Sequence, residues 1–208
     1  MTVKEKMQHG ALYQCSDESL LREQAQLAAL LYELNHTPPT QPERRTALLK
    51  QLFAEFGEGS YIELPFHANW GGRHVHFGKH VYANFNLTAV DDGDIYVGDD
   101  TQFGPNVVLT TAGHPIEPML RQQAYQYNFP IHIGKNCWIG AGVCILPGVT
   151  IGDNAVIGAG SVVTKDIPSG VVAVGNPCRV LRAVGEHDRE YYFRDHRIPE
   201  ELRNTLEK

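Results

Sequence analysis

One histidine stands in Thr110-Thr111-Ala112-Gly113-His114-Pro115, at the root of a stretch that follows a patterned β-rich segment. An imidazole there can take up and return a proton at neutral pH, because its unperturbed pKa of ~6.5 lies close to it. Two other stretches carry polar groups able to hold a small substrate: Tyr82-Ala83-Asn84-Phe85-Asn86 and Val90-Asp91-Asp92. Cations collect late in the chain at Lys165, Arg179 and Arg182, and Arg and Lys are the side chains that meet phosphate. His74-Val75-His76-Phe77-Gly78-Lys79-His80 suggests another chemistry, metal binding. Alternation puts His74 and His76 on one outward face, with Val75 and Phe77 inward. A catalytic zinc would need ligands converging from adjacent coils or subunits instead.

The scaffold that must position these groups is written as a repeat. Ile133, Ile139, Ile145, Ile151, Ile157 and Val163 fall six apart in one phase, four of them are followed by Gly (Gly134, Gly140, Gly152, Gly158), and four residues after each start stand Cys137, Val143, Val149, Ala155, Ser161 and Ile167. A period of six fits neither a helix nor a lone strand; it fits a short strand and a tight turn, repeated, with the aliphatic residue inward and stacked on its counterpart in the next coil. Gly, Asn and Asp (Asn136, Asp153, Asn154) then supply corners of positive φ. The repeat predicts a mainly β fold, a parallel β-helix of hexapeptide type. Phe77-Gly78 with Val81, Ala83-Asn84 with Leu87, Val97-Gly98 with Thr101 and Phe103-Gly104 with Val107 keep the same phase, broken near Val90 to Ile95 by a short insertion. Between Leu109 and Ile131 the pattern lapses. That stretch, with Gly113, Pro115 and Pro118, reads as an extended loop over about 111–130, and a long loop on a rigid scaffold is more often functional than accidental.

The first 57 residues are of another kind. Leu20, Gln24, Leu27, Leu31 and Leu34 follow helical spacing behind Ser16 or Asp17 as N-cap, and Thr40-Gln41-Pro42-Glu43 has the pattern of a capping box opening a second helix through Leu48, Leu49, Leu52, Phe53 and Phe56. Two such helices are too small to hold a core and must pack on the β-helix or on a neighbour. The organisation read from the chain is a helical module over 1–57, the repeat over 58–185 and a charged, aromatic surface tail over 186–208. The 208 residues carry a net charge of -6 with no basic stripe, which argues against nucleic acid as a partner. No apolar run reaches membrane-spanning length and residues 1–10 lack a signal-peptide core, so a cytoplasmic location away from membranes is expected. Cys15, Cys137, Cys144 and Cys178 show no C-x-x-C spacing and read as free thiols.

Taken in order, Lys6-Met7, Gly10-x-Leu12-Tyr13-x-x-x-Asp17, Tyr82-Ala83-Asn84-Phe85, Gly113-His114-Pro115, the terminal coils and Gly175-Asn176-Pro177-Cys178-Arg179-Val180 resemble the galactoside and maltose O-acetyltransferases of the hexapeptide acyltransferase superfamily. The resemblance spans nearly the whole chain. It implies a left-handed coil, a homotrimer with active sites between subunits, acetyl-CoA as co-substrate with no metal, and a small hydroxylated acceptor. By resemblance His114 is the general base and Asn84 binds the acceptor and steadies the transition state. Asp17, unless it only caps a helix, Tyr82 and Asp92 would contact the acceptor, and Trp70 either stacks on the acceptor or fills core space. Trp138, Ala141, Ala159, Thr164, Lys165, Arg179 and Arg182 fall where the family binds the cofactor, the Ala141 amide also serving as oxyanion donor.

The expectation is therefore a cytosolic acetyl-CoA-dependent O-acetyltransferase acting on a sugar of galactoside, glucose or maltose type. A zinc enzyme of gamma carbonic anhydrase type and a noncatalytic β-helical scaffold are the alternatives; the second leaves His114 and the terminal cations without a role. The chain departs from the family where the acceptor is chosen. Gln24, Gln26 and Ala28 stand where a row of Arg is frequent, and Trp70, in Asn69-Trp70-Gly71-Gly72, stands where Ser or Asp is usual.

Overall fold

The structure, a computed structural model, describes residues 1–206. Three stacks of very short parallel strands form the three faces of a prism. The first face holds Glu55–Phe56, Val75–Phe77, Ile95–Val97, Ile131–Ile133 and Thr150–Ile151. The second holds Tyr61–Ile62, Tyr82–Ala83, Gln102–Phe103, Trp138–Ile139, Val156–Ile157 and Val171–Val174, and the third His67–Ala68, Thr88–Val90, Val108–Thr110, Cys144–Ile145 and Val162–Val163. The chain visits the faces in that order, so the fold is a β-helix of about six turns.

Register is set by stacking. Val97 pairs with Ile133 and Ile133 with Ile151; Phe103 pairs with Ile139 and Ile139 with Ile157; Leu109 pairs with Ile145 and Ile145 with Val163. All of these point inward and are buried, as are Cys137, Val143, Val149, Ala155, Ser161 and Ile167 at the second inward slot. Each fully buried aliphatic contributes roughly 1.5–3 kcal/mol. At the lower end the stack is aromatic: the Phe56 ring lies 6.2 Å from that of Phe77, and the Phe77 ring 6.2 Å from that of Phe103.

The glycines that follow the inward aliphatics are not the positive-φ residues. Those are corner residues such as Asn136, Asn154, Asn106, Gly142 and Gly160. At Gly98 a Cβ would come within 2.7 Å of the Gly134 carbonyl carbon and the Lys135 nitrogen, and at Gly140 within 2.6 Å of the Ala159 nitrogen. These positions are glycine because the next coil's backbone passes too close for a side chain.

The helix Glu18–His36 is capped by Asp17, which accepts the Ser19 N–H, and buries Leu20, Leu27 and Leu34. The second helix, Pro42–Leu52, differs from the sequence expectation: its N-cap is Gln41, without a side-chain cap bond, and it stops at Leu52. Phe53 turns extended, and Glu55–Phe56 already pairs with Val75–Phe77. Phe56 is thus the first rung of the aromatic stack rather than a helix residue. Phe53 packs 5.3 Å from both Phe66 and Phe77, and Asn35 exchanges two hydrogen bonds with the Phe66 backbone, so the helices close the first coil. A short helix, Val3–Gln8, precedes them with Met7 buried.

At the far end Arg179–Ala183 folds back antiparallel on Val171–Val174. Beyond it lie a helix Glu186–Glu190, a hairpin of Tyr191–Phe193 with His196–Arg197, and a helix Glu200–Leu206, while the last two residues of the tail expected over 186–208 lie outside the described residues. Among the described residues no helix is long and apolar enough to cross a membrane, and the four cysteines are free. Because Gly98 abuts backbone, which cannot move aside as a side chain can, Gly98→Ala should cost about 1–3 kcal/mol, read as a lower denaturation midpoint with an unchanged slope.

Candidate active site

The coil length varies at one corner only, the passage from the third face to the first. Ile133 to Ile151 is a step of 18 residues, three hexads, and Val75 to Ile95 one of 20, while Val97 to Ile133 spans 36. The surplus lies in residues 69–74, 91–94 and 111–130. This edge therefore carries Trp70, Asp92 and His114, one above another.

The segment 111–130 is a folded hairpin. Ala112–Gly113 pairs antiparallel with Tyr125–Asn128, whose other side pairs with Tyr13–Gln14 from the N-terminal region. A helix, Pro118–Gln122, capped by Glu117, forms the tip. A Cβ on Gly113 would come within 2.7 Å of the Tyr127 ring, so the strand can pass beneath that ring only as glycine. The next residue, His114, is exposed, and its Nδ1 lies 2.8 Å from the Tyr125 carbonyl oxygen. A carbonyl only accepts, so Nδ1 carries the proton and Nε2 presents a free lone pair. The alternation Tyr125-Gln126-Tyr127-Asn128, with Gln126 and Asn128 buried, is the signal from which this strand could have been found.

Below the hairpin lies a cavity of about 210 Å³ bordered by Tyr13, Gln24, Asn69, Trp70, Asp92 and Gln126. Trp70 is only 1% exposed, so most of its indole is core, yet one side borders this space. Its Nε1–H donates to Asp92 Oδ1 at 3.2 Å, and Asn69 Nδ2 donates to Asp92 Oδ2 at 2.9 Å. The carboxylate of Asp92 is thereby oriented while keeping lone pairs for a ligand. Gln126 donates to the Tyr13 hydroxyl at 2.6 Å, and Asn128 reaches both Tyr13 (3.1 Å) and the Asp92 carbonyl (3.2 Å). Burial raises the Tyr13 phenol well above its usual range, so it stays neutral. A smaller cavity, about 130 Å³, shares Asp92 and is bordered by His74 and Asp94. Gln126 and Asn128 have no counterpart in the sequence reading, and Tyr13, Asn69 and Asp91 figure there only within motifs, because isolated polar residues in unpatterned stretches carry no mark of burial.

Asp91 holds the turn that presents Trp70. Oδ1 accepts the Trp70 N–H at 2.7 Å and Oδ2 the Gly72 N–H at 3.0 Å. Burial raises its pKa, against which the Trp70 bond works. Asp17 stands between Cys15 and Leu20, both of which border this cavity; it caps the helix Glu18–His36, and the Ser19 hydroxyl and N–H hold its carboxyl below the ordinary range. The histidines singled out from sequence go to separate partners: His74 Nδ1 to the Asp91 carbonyl (2.6 Å), His76 to Asp94 (3.2 Å) and His80 to Asp100 (3.3 Å).

The remaining candidates occupy other parts of the prism. Asn84, Ala141 and Ala159 lie on the corner between the second and third faces, linked upward by Asn84 N–H to the Phe103 carbonyl, Gly142 N–H to that of Pro105 and Gly160 N–H to that of Ala141. The Asn84 side chain accepts the Phe85 N–H at 2.8 Å. The N–H groups of Ala141 and Ala159 have no partner among the described residues. Tyr82 and Trp138 point outward from the second face, Trp138 being 60% exposed. Thr164 and Lys165 are exposed on the edge that carries His114, and Arg179 and Arg182 lie on the terminal strand beside Val171–Val174. One chain thus distributes the candidate groups over the two edges flanking the third face and the outer side of the second face.

Two family models match the chain: the maltose acetyltransferase hexapeptide capping motif over residues 6–57 and the bacterial transferase hexapeptide (six repeats) over 130–165. A galactoside O-acetyltransferase of Lactococcus lactis subsp. lactis (strain IL1403) is 54% identical over 181 residues, 87% of either chain. That of Escherichia coli (strain K12) is 46% identical over 198 residues, 95% of this chain and 97% of the relative. A solved galactoside acetyltransferase in complex with coenzyme A superimposes with a TM-score of 0.92 at 46% identity, covering 96% of this chain and all of that one.

The Asp91 turn can be tested alone. Asp91→Asn is nearly isosteric but sets an amide N–H2 against a backbone N–H, and should destabilise by about 1–3 kcal/mol, measured by chemical denaturation.

Proposed function

This chain belongs to the hexapeptide-repeat family of galactoside and maltose O-acetyltransferases, and on that premise we propose that it transfers the acetyl group of acetyl-CoA to a hydroxyl of a small sugar in the cytosol, with His114 as general base. The observation that carries the proposal is the 2.8 Å contact between His114 Nδ1 and the Tyr125 carbonyl oxygen. With Nδ1–H committed to the Tyr125 carbonyl, Nε2 is the free acceptor.

An alcohol is too weak an acid to attack a thioester at neutral pH unless its proton leaves during attack. His114 Nε2 takes that proton as the acceptor oxygen bonds to the thioester carbon. The resulting oxyanion needs a fixed donor, and the Ala141 N–H, without a partner among the described residues, is one. The C–S bond then breaks, and His114 returns the proton to the departing sulfur. A thiol of pKa ~8.5 leaves far more readily than an alkoxide, so the intermediate collapses forward. Asp92, held by Trp70 and Asn69, accepts hydrogen bonds from acceptor hydroxyls, and Asn84 and Tyr82 meet the acceptor from another edge. Lys165, Thr164, Arg179 and Arg182 supply the phosphate end, with Trp138 and the Ala159 amide along the arm.

His114 and Asn84 stand on different edges of one chain, which favours sites built between subunits. In a closed trimer the hairpin edge of one copy faces the Asn84–Ala141–Ala159 edge of the next.

His114→Ala should lower turnover about 100-fold or more with little change in acetyl-CoA affinity, followed as thiol release across a panel of galactosides, glucose and maltose. Activity within tenfold of wild type would sink the base assignment. Mixing equal amounts of His114→Ala and Asn84→Ala subunits under exchange conditions should restore about one quarter of wild-type turnover, since one site in roughly four then receives both intact residues. No recovery would place both groups in a single subunit's site.

A further inference from the structure

The C-terminal tail grips one of the cations assigned above to the phosphate end. Arg182 pairs across the terminal sheet with Val172, in the outward column that includes Val156 and Trp138. Its Nη1 donates to Asp188 Oδ2 at 2.6 Å and its Nη2 to Asp188 Oδ1 at 2.7 Å, while Nη1 also donates to the Ala183 carbonyl at 3.0 Å. A guanidinium has five N–H donors. Three are committed to the protein, and the two left over are Nε–H and the second Nη2–H, neither of which has a partner among the described residues. These two lie side by side on one edge of the guanidinium plane, spaced to meet two oxygens of a phosphate at once.

Asp188 is itself held in place. Its Oδ2 also accepts the Gly185 N–H at 2.9 Å, at the start of the helix Glu186–Glu190. The hydrogen bonds from Arg182 and Gly185 keep its carboxyl at about 2, so the clamp stays ionised at any pH used for assay. A free Arg side chain loses much rotamer freedom on binding phosphate, and a clamped one has lost it beforehand.

We propose that Asp188 is a positioning residue for the cofactor: it grips the end-on edge of Arg182 and so presents the side-on edge to a phosphate of acetyl-CoA. The tail helix thereby becomes part of the cofactor site. This rests on the placement of the phosphate end at Arg182.

The test compares acetyl-CoA with acetyl-pantetheine, which lacks the phosphates, in the full-length protein. Asp188→Ala and Arg182→Ala should each raise KM for acetyl-CoA about fivefold with kcat within twofold. KM for acetyl-pantetheine should stay unchanged, Asp188→Glu should recover part of the loss, and the double variant should be no worse than Arg182→Ala alone. If Arg182→Ala raises KM while Asp188→Ala leaves it unchanged or lowers it, Asp188 is a bystander or a competitor for the guanidinium and the inference is overturned. An equal rise for acetyl-pantetheine in Asp188→Ala would mark a general structural defect and overturn it as well. If Arg182→Ala itself leaves KM for acetyl-CoA unchanged, the placement of the phosphate end fails first and takes the inference with it.

Discussion

Everything in this molecule answers to the vertical register of its coils. An inward side chain such as Ile139 sits between Phe103 below and Ile157 above, and the strand that carries it is bonded in both directions. A residue added inside a strand would turn every following side chain of that coil inside out, because side-chain direction alternates. Length can therefore change only at corners. Here the change falls on one corner, and the surplus residues at 69–74, 91–94 and 111–130 bring Trp70, Asp92 and His114 onto one edge.

The same register decides what the corners may contain. Where the next coil passes within 2.7 Å of a would-be Cβ, as at Gly98, the residue has no side chain; where the backbone turns left-handed, Asn136 and Asn154 serve and bond to each other at 2.8 Å. On the corner between the second and third faces a Cβ at Gly104 would come within 2.7 Å of the Ala141 nitrogen and one at Gly140 within 2.6 Å of the Ala159 nitrogen, and neither N–H has a partner among the described residues.

A solenoid has two ends that cannot stack on themselves, and the chain closes each differently. The lower end receives the helices, with Leu27 and Leu52 against Gly71 and Phe53 against Phe66 and Phe77. The upper end turns back on itself through Arg179–Ala183, all five residues of which remain exposed. The N-terminal region reaches the site as well, because Tyr13–Gln14 completes the hairpin's sheet and Tyr13 anchors Gln126 and Asn128.

The repeat could be read from the chain because it is local and periodic: each hexad buries the same slots, so the phase from Ile133 to Val163 predicts the inward residues one by one, and Phe77, Ala83, Val97 and Phe103 follow. The helix Glu18–His36 is equally plain, but its cap is legible only as Ser16 or Asp17, and the structure uses Asp17. Other features depended on contacts between distant residues. Thr40 looked like a cap, but the helix begins from Gln41; Phe56 continued a helical pattern, but the aromatic stack with Phe77 claims it. The glycines after the aliphatics looked like turn residues, whereas the closeness of the next coil is what selects them. Residues 111–130 read as a loop because the strands Ala112–Gly113 and Tyr125–Asn128 are short and the third strand of their sheet, Tyr13–Gln14, lies about a hundred residues away. Local periodicity carries the positions of the rungs, and only the stacked coils determine which corner residues share an edge, since that depends on how many residues each turn of the chain consumes.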